Sequence, residues 1–158
     1  KGNVDQMPSN AIKDPNNLLM QQADGTFREM GQSAGLASTE RARGAALADF
    51  DGDGRLDVLV LNRRAPLEIY RNETPDAGNW LAVSLIQPGG NRHAIGASVI
   101  VNGDMQRTII GGGHAGGQAG PLHFGLDAAT QAKITVEWPS GQITHHKATA
   151  NQSITLSP

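Results

Sequence analysis

Apolar residues in this chain come in short runs, broken by clusters of Gly, Asp, Asn and Pro. Sustained 3.6-residue periodicity is scarce, and such punctuated short runs are the pattern of an all-β protein. The runs predict strands at Leu18–Gln21, Thr26–Met30, Ala45–Phe50, Asp57–Asn62 and Leu67–Arg71. Further on they predict Trp80–Ile86, Ser98–Val101, Gln106–Ile110, Leu122–Phe124, Ile134–Trp138, Gln142–His145 and Ser153–Leu156. Ile134-Thr135-Val136-Glu137-Trp138 alternates apolar and polar side chains, as a half-buried strand does. Pro139-Ser140-Gly141 then supplies a tight turn into the return strand. Val58-Leu59-Val60-Leu61 is apolar throughout, which predicts burial on both faces. Ala37–Arg43 is expected to form a short helical turn. Trp80, Phe124, Ile134 and Trp138 are the expected core.

Composition narrows the classes. The chain has 158 residues and no cysteine, which excludes disulfides and cysteine-ligated metals. No apolar run approaches the roughly 18 residues a membrane-spanning helix needs. Thirteen basic against fifteen acidic residues leave no excess for nucleic acid. The charge is uneven, however. Residues 1–78 carry 9 Lys/Arg and 12 Asp/Glu, while residues 79–158 carry 4 and 3. Glu73–Asn79 is rich in turn formers and reads as a linker. Two parts follow, 1–75 and 79–158.

The acidic half contains one chemically specific motif. Asp49-Phe50-Asp51-Gly52-Asp53-Gly54-Arg55-Leu56-Asp57 sets carboxylates at positions 1, 3, 5 and 9 of a loop, with glycine at position 6. Calcium is a hard cation that takes six to eight oxygens, and carboxylates on alternate residues of a tight loop converge on it. Gly54 permits the inward backbone turn, and the carbonyl of Arg55 is the expected backbone ligand. The metal ligands expected are therefore Asp49, Asp51, Asp53, Arg55 and Asp57, with Ca2+ the bound ion. An EF-hand does not fit, because position 12 is Val60 and the flanks read as strands. The plainer reading is a solvated acidic turn, but four aspartates within nine residues repel one another without a cation.

This strand–loop–strand hairpin resembles the FG-GAP (VCBS-type) repeat of integrin α-subunit propellers and bacterial secreted proteins. Gly44–Phe50, Asp57–Asn62 and Leu67–Asn72 resemble its first three strands. Asn17–Met20 with Asp24–Phe27 resembles the end of a preceding repeat. From Asn79 onward the sequence is similar to the ASPIC/UnbV domain of cartilage acidic protein-like and bacterial UnbV proteins. The matching residues are Asn79-Trp80-Leu81, Ala94-Ile95-Gly96-Ala97, Gly111-Gly112-Gly113, Phe124-Gly125-Leu126 and Trp138-Pro139-Ser140-Gly141. Gly112–Gly120 departs from the usual pattern, with extra small residues and His114.

The resemblance implies partial β-propeller blades followed by a β-sandwich-like domain. Two strands of one blade and three of the next cannot close a ring, and they leave edges exposed. Missing N-terminal blades or a protein partner are therefore expected to complete them.

Other motifs carry less. Gly31-Gln32-Ser33-Ala34-Gly35 matches G-x-S-x-G, and Gly111–Gly116 matches G-x-G-x-x-G, but both lack the strand–turn–helix context those motifs require. His145 and His146, adjacent on a strand, point to opposite faces and cannot easily share a metal with each other; a transition-metal site of His114, His123 and one of the pair is the weaker alternative to surface or hydrogen-bonded histidines. Asn72-Glu73-Thr74 and Asn151-Gln152-Ser153 are glycosylation sequons. Arg63-Arg64 reads as a solvated strand end.

The expected function is a non-enzymatic, calcium-stabilised adhesion or assembly module, extracellular, periplasmic or at the cell surface. One alternative is the C-terminal part of a propeller enzyme, with catalytic residues upstream or at His114. Another is a subunit of a bacterial envelope assembly. No nucleic acid or membrane span is expected, and carbohydrate binding has no support in the residues.

Overall fold

The computed structural model describes residues 14–109 and 119–158. The architecture is all-β. Twelve strands run in chain order: β1 Leu19–Gln21, β2 Phe27–Glu29, β3 Ala42–Ala48, β4 Asp57–Asn62, β5 Glu68–Tyr70 and β6 Asn79–Leu85. After them come β7 Ser98–Val101, β8 Asp104–Arg107, β9 Leu122–Asp127, β10 Gln131–Glu137, β11 Ile143–Thr149 and β12 Gln152–Leu156. They form four sheets, β1-β2, β3-β4-β5, β12-β6-β9 and β11-β10-β7-β8.

Contacts divide the chain into two compact units. One joins the residues up to Ala45 with Val58–Tyr70; the other joins Ala46–Asp57 with Arg71–Pro158.

In the first unit β1 and β2 form a hairpin, with Leu19 opposite Glu29 and Gln21 opposite Phe27. Asp24 builds its turn by accepting bonds from the backbone N–H and the hydroxyl of Thr26. Both bonds hold the Asp24 carboxyl below its ordinary range, the hydroxyl more strongly. β4 pairs antiparallel with β5, Leu59 opposite Ile69. The expectation of two buried faces on β4 holds for only one. Val60 is buried, whereas Leu61 is 51% exposed and Ile69, on the same face, 61%. Among the described residues no layer covers that face. The helical turn expected over Ala37–Arg43 is absent as well: residues 37–41 are irregular and Ala42 already opens β3. Glu40 has its backbone N–H bonded to Ser38 Oγ, and Ala42 its own to the Glu40 carbonyl, so local turns take the donors a helix would use.

The second unit holds the core. Leu81, Val83 and Leu85 of β6 alternate inward, as do Val99 and Val101 of β7 and Ala132, Ile134 and Val136 of β10. This period of two lets two sheets pack their apolar faces together, with Phe124, Leu126 and Trp138 filling the space. The Trp138 indole N–H donates to Thr144 Oγ1 at 2.9 Å, so the buried ring keeps a polar partner. Gly141, at φ +87°, closes the β10–β11 turn by donating to the Trp138 carbonyl. β12 returns parallel to β6, Gln152 beside Leu81. β8 begins at Asp104, before the expected Gln106, because Asn102-Gly103 supplies the left-handed pair of a tight hairpin at φ +50° and +107°.

Candidate metal centre

β3 stops at Ala48 and its sheet neighbour β4 starts at Asp57, so the intervening aspartates lie on one short loop. Backbone N–H groups shape it. Asp49 Oδ1 accepts from Gly52 at 2.8 Å and Asp53 at 3.1 Å, and its Oδ2 accepts from Gly54 at 2.9 Å. Asp57 is 3% exposed and braces the loop from the other side. Its Oδ2 accepts from the Phe50 N–H at 3.1 Å and its Oδ1 from the Asn72 N–H at 2.8 Å. Gly52 and Gly54 have φ of +76° and +88°, which non-glycine residues adopt only under strain.

The result is a group of carboxylates. Asp49, Asp51 and Asp57 each place one oxygen within 4.8 Å of the others. Asp53, the fourth aspartate of the motif, is not in that group. It receives the Arg55 backbone N–H at 2.9 Å and pairs with the Arg55 guanidinium. Arg71 lies 3.7 Å from Asp53 and 2.8 Å from Asp51. The Arg55 N–H bond first, then the charges of Arg55 and Arg71, hold the Asp53 carboxyl below its ordinary range. The Arg55 side chain also donates to the Asn72 carbonyl at 2.6 Å. An all-oxygen, carboxylate-rich donor set on a tight loop suits a hard cation and offers nothing to a thiophilic metal.

Asn72 lies within this hydrogen-bond frame. Its Nδ2 donates to the Leu56 carbonyl at 3.1 Å, and its Oδ1 accepts the N–H and hydroxyl of Thr74. Asn151, of the other sequon, is likewise employed, accepting the Trp80 N–H and donating to Asn79 Oδ1.

The floor of the loop is a feature that sequence reasoning missed. His123 on β9 meets the Gly54 carbonyl at 2.8 Å across 69 residues of sequence. Its ring stacks on Trp80 of β6, with centroids 5.8 Å apart and planes 8° from parallel. A Cβ on Gly54 would fall inside the Trp80 indole. Trp80 is therefore half-buried under the aspartate loop instead of in the core, where Phe124, Ile134 and Trp138 do lie. The nearest sequence signal was Asn79-Trp80-Leu81, directly after the repeat.

The remaining candidates separate. Ser33 sits in a turn and donates its hydroxyl to the Met30 carbonyl at 3.0 Å. His145 Nδ1 bonds Thr135 Oγ1 and His146 Nε2 bonds Thr144 Oγ1, on alternating positions of β11. His114 and the Gly111–Gly116 motif lie outside the described residues. No helix among the described residues is long and apolar enough to cross a membrane.

Comparison with known proteins agrees with the motifs. Residues 9–60 match the FG-GAP-like repeat model, and residues 87–158 match that of ASPIC and UnbV. Cartilage acidic protein 1 of Mus musculus is 27% identical over 143 residues, 85% of this chain and 22% of the relative. The Homo sapiens protein of that name has the same figures. The Xenopus tropicalis protein is 30% identical over 129 residues, 77% of this chain and 20% of its own. The chain thus spans about a fifth of the length of these curated relatives. Its first part is similar to an FG-GAP-like repeat and its second to ASPIC and UnbV, in the order the motifs imply.

Proposed function

We propose that this chain is a calcium-stabilised, non-catalytic module for extracellular adhesion or assembly. Asp49, Asp51 and Asp57, the backbone carbonyl of Arg55, and Asp53 once its Oδ2 leaves the Arg55 guanidinium, would hold the ion. The observation that carries the reading is the convergence of the Asp49, Asp51 and Asp57 oxygens within 4.8 Å on a loop of alternating carboxylates. Each carboxylate has about four lone-pair sites, so the backbone N–H bonds to Asp49 and Asp57 leave room for a cation. The ion would supply charge neutralisation and a fixed loop, not a reaction.

The outward role is supported by the first unit. Leu19, Met20, Phe27, Leu61, Leu67 and Ile69 are exposed there, and its sheets have only two and three strands. Further propeller blades or a protein partner would cover that apolar surface. The division into a repeat segment, residues 1–75, and a sandwich, residues 79–158, fits the two family matches. The likeness to proteins named for cartilage supports an extracellular setting. Melting in EGTA against calcium, for this chain and for Asp51→Asn, tests the site. The wild type should gain stability with calcium and the variant should gain less. Equal gains would remove Asp51 from the ligands.

A further inference from the structure

We infer that His123 and Trp80 are positioning residues for the cation loop, so that the ion and the ASPIC/UnbV sheet stabilise each other; the inference rests on the calcium reading above. A carbonyl only accepts, so His123 Nε2–H donates to Gly54 O over 2.8 Å. That peptide is pinned at its other end too, because the Arg55 N–H donates to Asp53 Oδ1 at 2.9 Å. The plane preceding the expected carbonyl ligand, Arg55, is thereby fixed from the sheet side. Trp80 supports the same point by filling the space where Gly54 lacks a side chain.

His123 is itself held. Its ring stacks on Trp80, and its backbone carbonyl accepts Gln106 Nε2 at 2.6 Å. Trp80 is fixed by Asn151, which donates to its carbonyl at 2.7 Å and accepts its N–H at 3.1 Å. β8, β9, β6 and the Asn151 turn therefore converge on one glycine of the aspartate loop. A loop pre-organised this way loses less conformational freedom on binding an ion. Coupling is reciprocal, so an ion that tightens the loop must also favour the ordered sheet beneath it.

The test is calorimetric titration of calcium into the full chain, its His123→Ala variant and its His123→Gln variant, with melting of each in EGTA. Gln can supply an N–H donor where His does. Loss of His123 should weaken calcium binding roughly three- to tenfold, the weight of one hydrogen bond, and Gln should recover most of it. If wild type and His123→Ala bind calcium equally while both variants melt lower in EGTA, His123 is a structural contact only and the inference fails. If wild type binds no calcium, the reading of the loop fails and takes the inference with it. Should His123→Ala not fold, Trp80→Leu, which removes the ring under Gly54 and beside His123, takes its place and must weaken calcium binding; affinity equal to wild type would overturn the inference.

Discussion

The two units use the same short-strand vocabulary and reach opposite degrees of burial. In the second, alternating side chains of β6, β7 and β10 meet across two sheets, and thirteen residues form one buried cluster. In the first, every residue of β1 and β2 is exposed, and Val60 is its one buried apolar side chain among those described. Alternation alone does not bury a strand; a second layer must be present to receive its apolar face. The aspartate loop falls on the better-packed side of this contrast. It lies between β3 and β4, but its contacts group it with Arg71–Pro158.

The sharpest way to break the comparison is to truncate equivalent side chains in both units. Ile134→Ala removes a side chain 1% exposed and should cost about 4 kcal/mol by denaturant unfolding. Ile69→Ala, at 61% exposed, should stay within about 0.5 kcal/mol. A large loss at Ile69 would mean that its face is covered after all.

A second pair probes the loop. Gly54→Ala combines φ +88° with a collision against Trp80 and should cost about 3 kcal/mol. Gly52→Ala, at φ +76° with open space around it, should cost only about 1 kcal/mol, the strain alone. Equal effects at the two glycines would show that the Trp80 floor does not constrain the loop.

The smallest effect concerns pH and belongs to the first unit. Glu68 accepts the Ser38 hydroxyl at 2.7 Å and the Tyr70 hydroxyl at 2.8 Å, and these bonds hold its carboxyl below the usual 4.5. Burial, then Glu68, pushes the Tyr70 phenol up. A carboxyl lowered on folding stabilises above its unfolded value, and that contribution is lost as pH falls through the folded one. Glu68→Gln should lower stability slightly at neutral pH and flatten the acid limb below pH 4.5, the two proteins converging in acid. An unchanged acid limb would remove Glu68 from the account.

Much of this was legible in the residues, because strand period and turn chemistry are local. All twelve predicted strands form, and the aspartate loop lies between two of them as its flanks require. What misled was also physical. Val58–Leu61 reads as doubly buried only if further layers exist, and Asn102-Gly103 carried a hairpin signal that advances β8. Asp53 reads as equivalent to its neighbours, but its carboxylate pairs with the Arg55 guanidinium two residues on and is not in the Asp49, Asp51 and Asp57 group. The His123–Trp80 floor joins residues far apart in sequence, and no local pattern in a single chain links them to Gly54.

The most direct test of the calcium-stabilised loop is scanning calorimetry of this chain in EGTA and in calcium at ten times the dissociation constant. Mass action gives about 1.4 kcal/mol there, so the melting temperature should rise by about 3–6 °C. An identical melting temperature in both buffers would contradict it.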